Sequence, residues 1–310
     1  VLLAPSGLAA LNLVNHSLLK SGDQLLIPDN VYGPSRNSAR HELAAWGIAH
    51  AVYDPLTPAD LAAKLTPATR LVWLEAPGSI TLEFPDLLGL IAAVRAGAPQ
   101  ALIALDNTWG AGLAFDAFAL GVDLTIHALT KYPSGGGDVL MGAVTTRDEA
   151  LHLKLKFAHM RMGWGVGAND AEAVLRALPS LPLRYAAQDA AGRRLAQWWA
   201  AQPQVAQLLH PALPGSPGHA HWASHCRAAA GLFSVVFHEH IAAERVDAFV
   251  DALRLFKLGY SWAGPVSLAV PYALGGMRQR PAWKGALVRF VKMPAVAAAL
   301  AGVSLVTVVV

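Results

Sequence analysis

The segment HALTKYPSGGGD (127–138) sets Lys131 between an apolar run, GVDLTI, and a glycine-rich loop. Glycines there supply backbone freedom, so the lysine stands where a buried strand ends and the chain must turn. Two other strand or helix ends carry polar chemistry. Asp106 closes ALIALD, and Ser6-Gly7 precedes a helical pattern. In open α/β sheets, ligands gather at the carboxyl ends of the strands. An amine and a carboxylate on neighbouring strand ends, facing a helix N-terminus whose N–H groups can hold a phosphate, suit pyridoxal phosphate. Its aldehyde takes a lysine amine, its pyridinium nitrogen needs an acid to stay protonated, and its phosphate needs N–H and O–H donors. Lys131, Asp106 and the Ser6-Gly7-Leu8 turn with Thr130 are expected to supply these in turn. Singly, a lysine is usually a surface charge and a strand-end aspartate a turn former or cap; the weight lies in the three occurring together.

The elements that must position these residues follow from periodicity. Residues 23–28, 48–53, 69–77, 101–106, 122–128 and 139–146 read as buried strands, because their apolar residues run on instead of alternating. Helical spacing lies between most of them: Leu8, Leu11, Val14 and Leu18 recur at three and four residues, and 84–97 carries proline near its start and glycine near its end. Strand alternating with helix predicts an α/β fold whose mostly parallel sheet is covered on both faces. After about residue 150 the texture shifts to long helical stretches (147–162 and 169–201) and isolated strands at 231–237 and 286–291. We therefore expect a large domain over 1–150. Residues 151–310 are expected to hold its remaining helices and a smaller α+β domain, with a boundary near 190–205.

Bulk properties narrow the function classes. A formal charge of +3 with 15% charged residues gives no nucleic-acid footprint. The one cysteine, Cys226, cannot form an intrachain disulfide, so a cytoplasmic location is the default. The apolar end AVAAALAGVSLVTVVV is sixteen residues, short of the roughly 20 that span a bilayer. No membrane partner is expected. His219, His221, His225 and Cys226, or His238 and His240, match no standard zinc spacing, and neither a P-loop nor a dinucleotide glycine motif follows a strand.

The stretch ALDNTWGAGLAFDAFALGVDLTIHALTKYPSGGGDVLMGAV closely resembles the signature of the cysteine and methionine metabolism family of pyridoxal-phosphate enzymes, fold type I. PDNVYGPSR, WLEAPGSITLEFPD, HPALPGSPGH, GLFSVVF, LFKLGYSWAGPVSLAVPY and LVRF extend the likeness over about residues 1–291. The resemblance implies that Lys131 carries the cofactor and shuttles the substrate's α-proton, that Asp106 pairs with the pyridinium nitrogen, and that Tyr32 stacks on the ring. Gly7, Leu8 and Thr130 would hold the phosphate. Arg289 and Ser261 would grip the substrate's α-carboxylate, a task suited to a planar two-pronged donor, and Trp109 and Trp262 would line the pocket. The implied activity is carbon–sulfur β-cleavage of cystathionine or a related cysteine thioether to a thiol such as homocysteine, pyruvate and ammonia, by a homodimer or homotetramer. The alternatives are γ-lyase or γ-synthase activity, against which Trp262 in YSWAG speaks, or a non-catalytic fragment.

The sequence also departs from the family pattern. The family's Tyr-x-Arg element, which reaches a neighbouring subunit's phosphate, is expected to be missing, Ala128 stands where many relatives have a serine, and Val266 where a glutamate is common. After Arg289 the apolar tail replaces the expected acidic helix, as a frameshift or fragmentary gene model would produce. These departures lead us to expect a phosphate site short of a cation and weak cofactor retention.

Overall fold

The computed structural model describes residues 1–273 and, as backbone only, the strand Arg289–Pro294. Seven strands form the first sheet: β1 (Leu2–Ala4), β2 (Gln24–Pro28), β3 (Ala49–Tyr53), β4 (Thr69–Glu75), β5 (Leu102–Asp106), β6 (Leu124–Ala128) and β7 (Gly142–Thr146). Their spatial order is β1-β7-β6-β5-β4-β2-β3. The run from β3 through β2, β4 and β5 to β6 is parallel throughout, so β2, β4, β5 and β6 deliver their carboxyl ends to one edge. β7 pairs antiparallel with both β6 and β1, which points β1 the same way as β6 and brings the Ser6 turn to that edge too.

Two elements depart from the expectation. The strand foreseen at 139–146 begins only at Gly142, because Met141 is already engaged: Thr130 N–H donates to its carbonyl (3.2 Å), and its own N–H donates to Thr130 Oγ1 (3.1 Å). The direction of β7 follows from the loop before it. A parallel return needs a crossover, usually a helix, and none separates β6 from β7.

Helix α1 (Gly7–Leu18) turns Leu11, Leu13, Val14 and Leu18 toward the sheet. Its buried Asn15 is satisfied by the Trp73 indole N–H at 2.9 Å, and Tyr53 OH donates to the Trp73 carbonyl at 2.7 Å, so the polar groups under the helix close on one another. Further helices are α2 (Gly33–Ser38), α3 (Pro58–Lys64), α4 (Leu87–Gly97), α5 (Glu149–Met162) and α6 (Ala168–Ala177). The helical stretch expected at 169–201 is broken by a tight turn over Leu178–Ser180, after which α7 runs from Leu181 to Ala200. The second sheet comprises β8 (Val205–Leu209), β9 (Leu232–Phe237), β10 (Lys257–Leu258), β11 (Leu268–Ala273) and β12 (Arg289–Pro294), ordered β10-β11-β12-β9-β8. Among the described residues no helix is long and apolar enough to cross a membrane. The terminal apolar stretch lies outside the described residues.

Helix α1 approaches β6 closely at Gly7. A Cβ there would stand 2.6 Å from the Cβ of Ala128, so α1 and β6 approach closely only because residue 7 has no side chain. We expect Gly7→Ala to separate helix and strand at a cost of about 1–3 kcal/mol. The check is a lowered denaturant midpoint at unchanged slope.

Candidate active site

Residues far apart in sequence converge at the shared strand edge. Lys131 follows β6 by three residues, and its Nζ donates to Ser261 Oγ at 2.8 Å. The same nitrogen lies 5.3 Å from the centre of the Trp262 ring, a separation that favours the ammonium form. Burial acts the other way and prevails, lowering the lysine to about 8, while the nearby Asp106 carboxylate offsets part of that shift.

Asp106 ends β5. Its Oδ1 accepts the Thr108 N–H at 3.0 Å, and Thr108 Oγ1 in turn accepts the Ala128 N–H at 2.9 Å, tying the end of β5 to that of β6. Desolvation pushes the carboxyl up to about 6, against the opposing pulls of Thr108 and Lys131. At neutral pH the site therefore holds a carboxylate and an ammonium, each destabilised by burial and each supported by the other.

Tyr32 is 42% exposed at the mouth of the site. Its backbone N–H donates to Glu75 Oε2 at 2.8 Å, and Glu75 lies beside Asp106 in the β4–β5 register. Burial raises its phenol, with Asp106 and Glu75 adding to the shift, so the hydroxyl stays protonated. At the start of α1, Ser6 Oγ accepts the Ala9 N–H (3.0 Å) and Ser6 O the Ala10 N–H (3.0 Å). The N–H groups of Gly7 and Leu8 are left without a backbone acceptor among the described residues. They form an anion-binding helix start of the type a phosphate occupies.

Two expected residues sit differently. Thr130 is already committed, donating its hydroxyl to Met141 O at 3.2 Å while accepting the Met141 N–H. Trp109 does not wall an open pocket: it is 6% exposed and packs edge-on against Phe84 in the larger apolar cluster. Its carbonyl accepts the Tyr185 hydroxyl at 3.1 Å. For Arg289 the backbone lies in β12 and the side chain is outside the described residues.

Sequence reasoning missed three supports. Glu75 closes LVWLE at the same edge, so the strand-end rule that found Asp106 would have found it. Tyr132 is fully buried; its hydroxyl accepts the Gly231 N–H at 2.7 Å, and its ring lies 4.6 Å from Tyr185 and 5.6 Å from Trp262. Arg184, on α7, donates to the Tyr132 carbonyl at 2.6 Å and the Pro133 carbonyl at 3.3 Å. It also excludes a side chain at Gly135, which turns with φ +63° directly beside its guanidinium. No sequence pattern marks contacts between segments about fifty to a hundred residues apart.

The donor set fits pyridoxal phosphate. A lysine of lowered basicity, a carboxylate at a neighbouring strand end and an open helix start meet the aldehyde, ring nitrogen and phosphate respectively. A family model for Cys/Met metabolism PLP-dependent enzymes matches residues 1–276. Cystathionine beta-lyase MetC of Escherichia coli is 37% identical over 266 residues, covering 86% of this chain and 67% of that protein. Cystathionine beta-lyase of Salmonella typhimurium is 36% identical over 268 residues, covering 86% of this chain and 68% of that protein. Among solved structures, cystathionine gamma synthase from Xanthomonas oryzae pv. oryzae superposes with a TM-score of 0.87 at 28% identity, covering 96% of this chain and 77% of that one.

The amine gives a pH test. In cofactor-free protein, labelling of Lys131 by an amine-directed reagent should rise through about pH 8 instead of the ordinary 10.5. Asp106→Asn removes the charge that supports the ammonium and should move that midpoint lower. Mass spectrometry of the labelled peptide reads both, and a midpoint that rises in the variant would reverse the assigned electrostatics.

Proposed function

The chain belongs to the Cys/Met metabolism family of PLP-dependent enzymes, and we propose that it cleaves the Cβ–S bond of cystathionine or a related cysteine thioether to a thiol, pyruvate and ammonia. The observation that carries this reading is Lys131: its amine is lowered to about 8 beside Asp106 and aimed at Ser261, with the Trp262 ring against it. Support for β-cleavage comes from the β-lyase relatives, at 36% and 37% identity, and from the large side chain of Trp262.

Pyridoxal phosphate, when bound, supplies the electron sink that makes a substrate α-proton removable. Each residue then has a task its chemistry suits. Lys131 would hold the cofactor, and its amine, when free, would accept the substrate's α-proton; a base poised near neutrality contributes about 10²–10⁴-fold. Ser261 orients that amine and, with Arg289, takes the substrate carboxylate. Asp106 keeps a proton on the ring nitrogen. Tyr32 covers the ring, and Trp262 closes the wall and excludes water. The Gly7 and Leu8 N–H groups bind the phosphate, with the Ser6 and Thr130 hydroxyls as further donors once Thr130 releases Met141 O. On the same reading the first sheet and its helices form the cofactor domain, the second sheet a smaller one, and the protein works as a cytoplasmic homo-oligomer.

Product analysis distinguishes β- from γ-cleavage: cystathionine should yield pyruvate and homocysteine, whereas γ-cleavage would yield 2-oxobutyrate and cysteine. Lys131→Ala should abolish both turnover and borohydride fixation of the cofactor to the chain while leaving the circular dichroism spectrum native. Asp106→Asn should lower turnover far more than cofactor content, because the other contacts still hold the ring. Near-native turnover in that variant would assign the ring nitrogen to another partner.

A further inference from the structure

A second cleft of about 620 Å³ opens on the first sheet away from Lys131, with Thr125, His127 and Thr145 among its lining residues. Thr125 and Thr145 are directly opposed across β6 and β7, so their side chains emerge side by side on one face. Asn107, one residue beyond Asp106, lines the same space. Thr125 and Asn107 are each only 2% exposed. Among the described residues the buried Asn107 Oδ1 has no hydrogen-bond partner. A buried acceptor left unpaired is costly, so the Asn107 amide oxygen calls for an occupant that donates a hydrogen bond.

Arg227 supplies the charge. Its N–H donates to Ala114 O at 2.9 Å and its Nε to Leu113 O at 2.7 Å. The first bond anchors the backbone, and the second orients the guanidinium while leaving its terminal nitrogens for another acceptor, a planar fork matched to a carboxylate. His127 is lowered to about 4 by burial, against a hydrogen bond to the Asn107 backbone, so it carries no charge at neutral pH. Asp116 adds a carboxylate at the same cleft.

We propose that this cleft binds a small α-amino or α-hydroxy carboxylic acid, its carboxylate on Arg227 and its α-substituent among Thr125, Thr145 and Asn107. The test is isothermal titration of the holoenzyme with L-lactate, L-serine and propionate separately. Lactate or serine should bind in the millimolar range, and propionate, lacking the α-substituent, more weakly. Lactate and serine binding alike indicates recognition of the shared donor, and serine alone indicates that Asp116 selects the ammonium. Arg227→Gln and Thr125→Val should each weaken binding by about tenfold or more, equivalent to about 1.4 kcal/mol, with cystathionine turnover in the absence of ligand unchanged. Thr125→Val removes a hydroxyl at constant shape, so it decides the matter even if Arg227→Gln loosens the 113–114 turn. Binding that survives both substitutions belongs to the Lys131 site and overturns the proposal, as does the absence of any heat at tens of millimolar.

Discussion

The hydrogen bond from Lys131 Nζ to Ser261 Oγ joins groups 130 residues apart, and most of the structure around it serves to make that meeting reproducible. Lys131 comes from the first sheet and Ser261 from the loop before β11, so each sheet must be held against the other. Tyr132 does this from beside the lysine, with its ring against Trp262 and its hydroxyl on Gly231 N–H, one residue before β9. Arg184 grips the same turn from α7. A buried N–H such as that of Gly231 costs about 1–3 kcal/mol if left unpaired, so the phenol is under pressure to stay in place, and Trp262 stays with it.

Electrostatics at the site is a compromise between two penalties. Burial raises Asp106 to about 6 and lowers Lys131 to about 8. For Lys131 the unfolded state binds the extra proton between pH 8 and 10.5, so its contribution to stability grows as pH rises through that window. For Asp106 the folded state binds the extra proton between 3.8 and 6, so stability declines as pH rises there. Around neutrality both charges are present at a cost that neither would bear alone. This is the arrangement expected where pKa tuning serves chemistry in place of stability.

Much of this was legible in the sequence. Strands buried on both faces read as unbroken apolar runs, so ALIALD and GVDLTIHA announced themselves, and with them Asp106 and Lys131 at their ends. The helix start at Ser6 was equally plain. What stayed hidden depended on contacts that have no local signature. Trp109 sits in a motif yet packs on Phe84, and Thr130 spends its hydroxyl on Met141, eleven residues on. The antiparallel sense of β7 was inferable from the missing crossover helix, but continuous hydrophobicity carries no direction. Residues 274–288 and 295–310, including the first half of the strand expected at 286–291, lie outside the described residues.

The glycines of the loop after Lys131 show how the same contacts also limit what the chain can change. Gly135 turns with positive φ against the Arg184 guanidinium, and Gly137, also at positive φ, sits 3.6 Å from the Pro265 ring when a Cβ is placed on it. Pro265 follows Ser261 and Trp262 within one short loop, in which Ala263 is held at φ +64° and is 1% exposed. A non-glycine residue in that region persists only where its surroundings over-determine it. The loop presenting Ser261 to Lys131 is thus shaped by the glycine-rich loop it rests on. A side chain added at Gly135 would displace Arg184 from the Tyr132 carbonyl and carry the disturbance to both ends of the Lys131–Ser261 bond. Gly135 is thus held by its positive φ and by the Arg184 contact, and Gly137 by its positive φ.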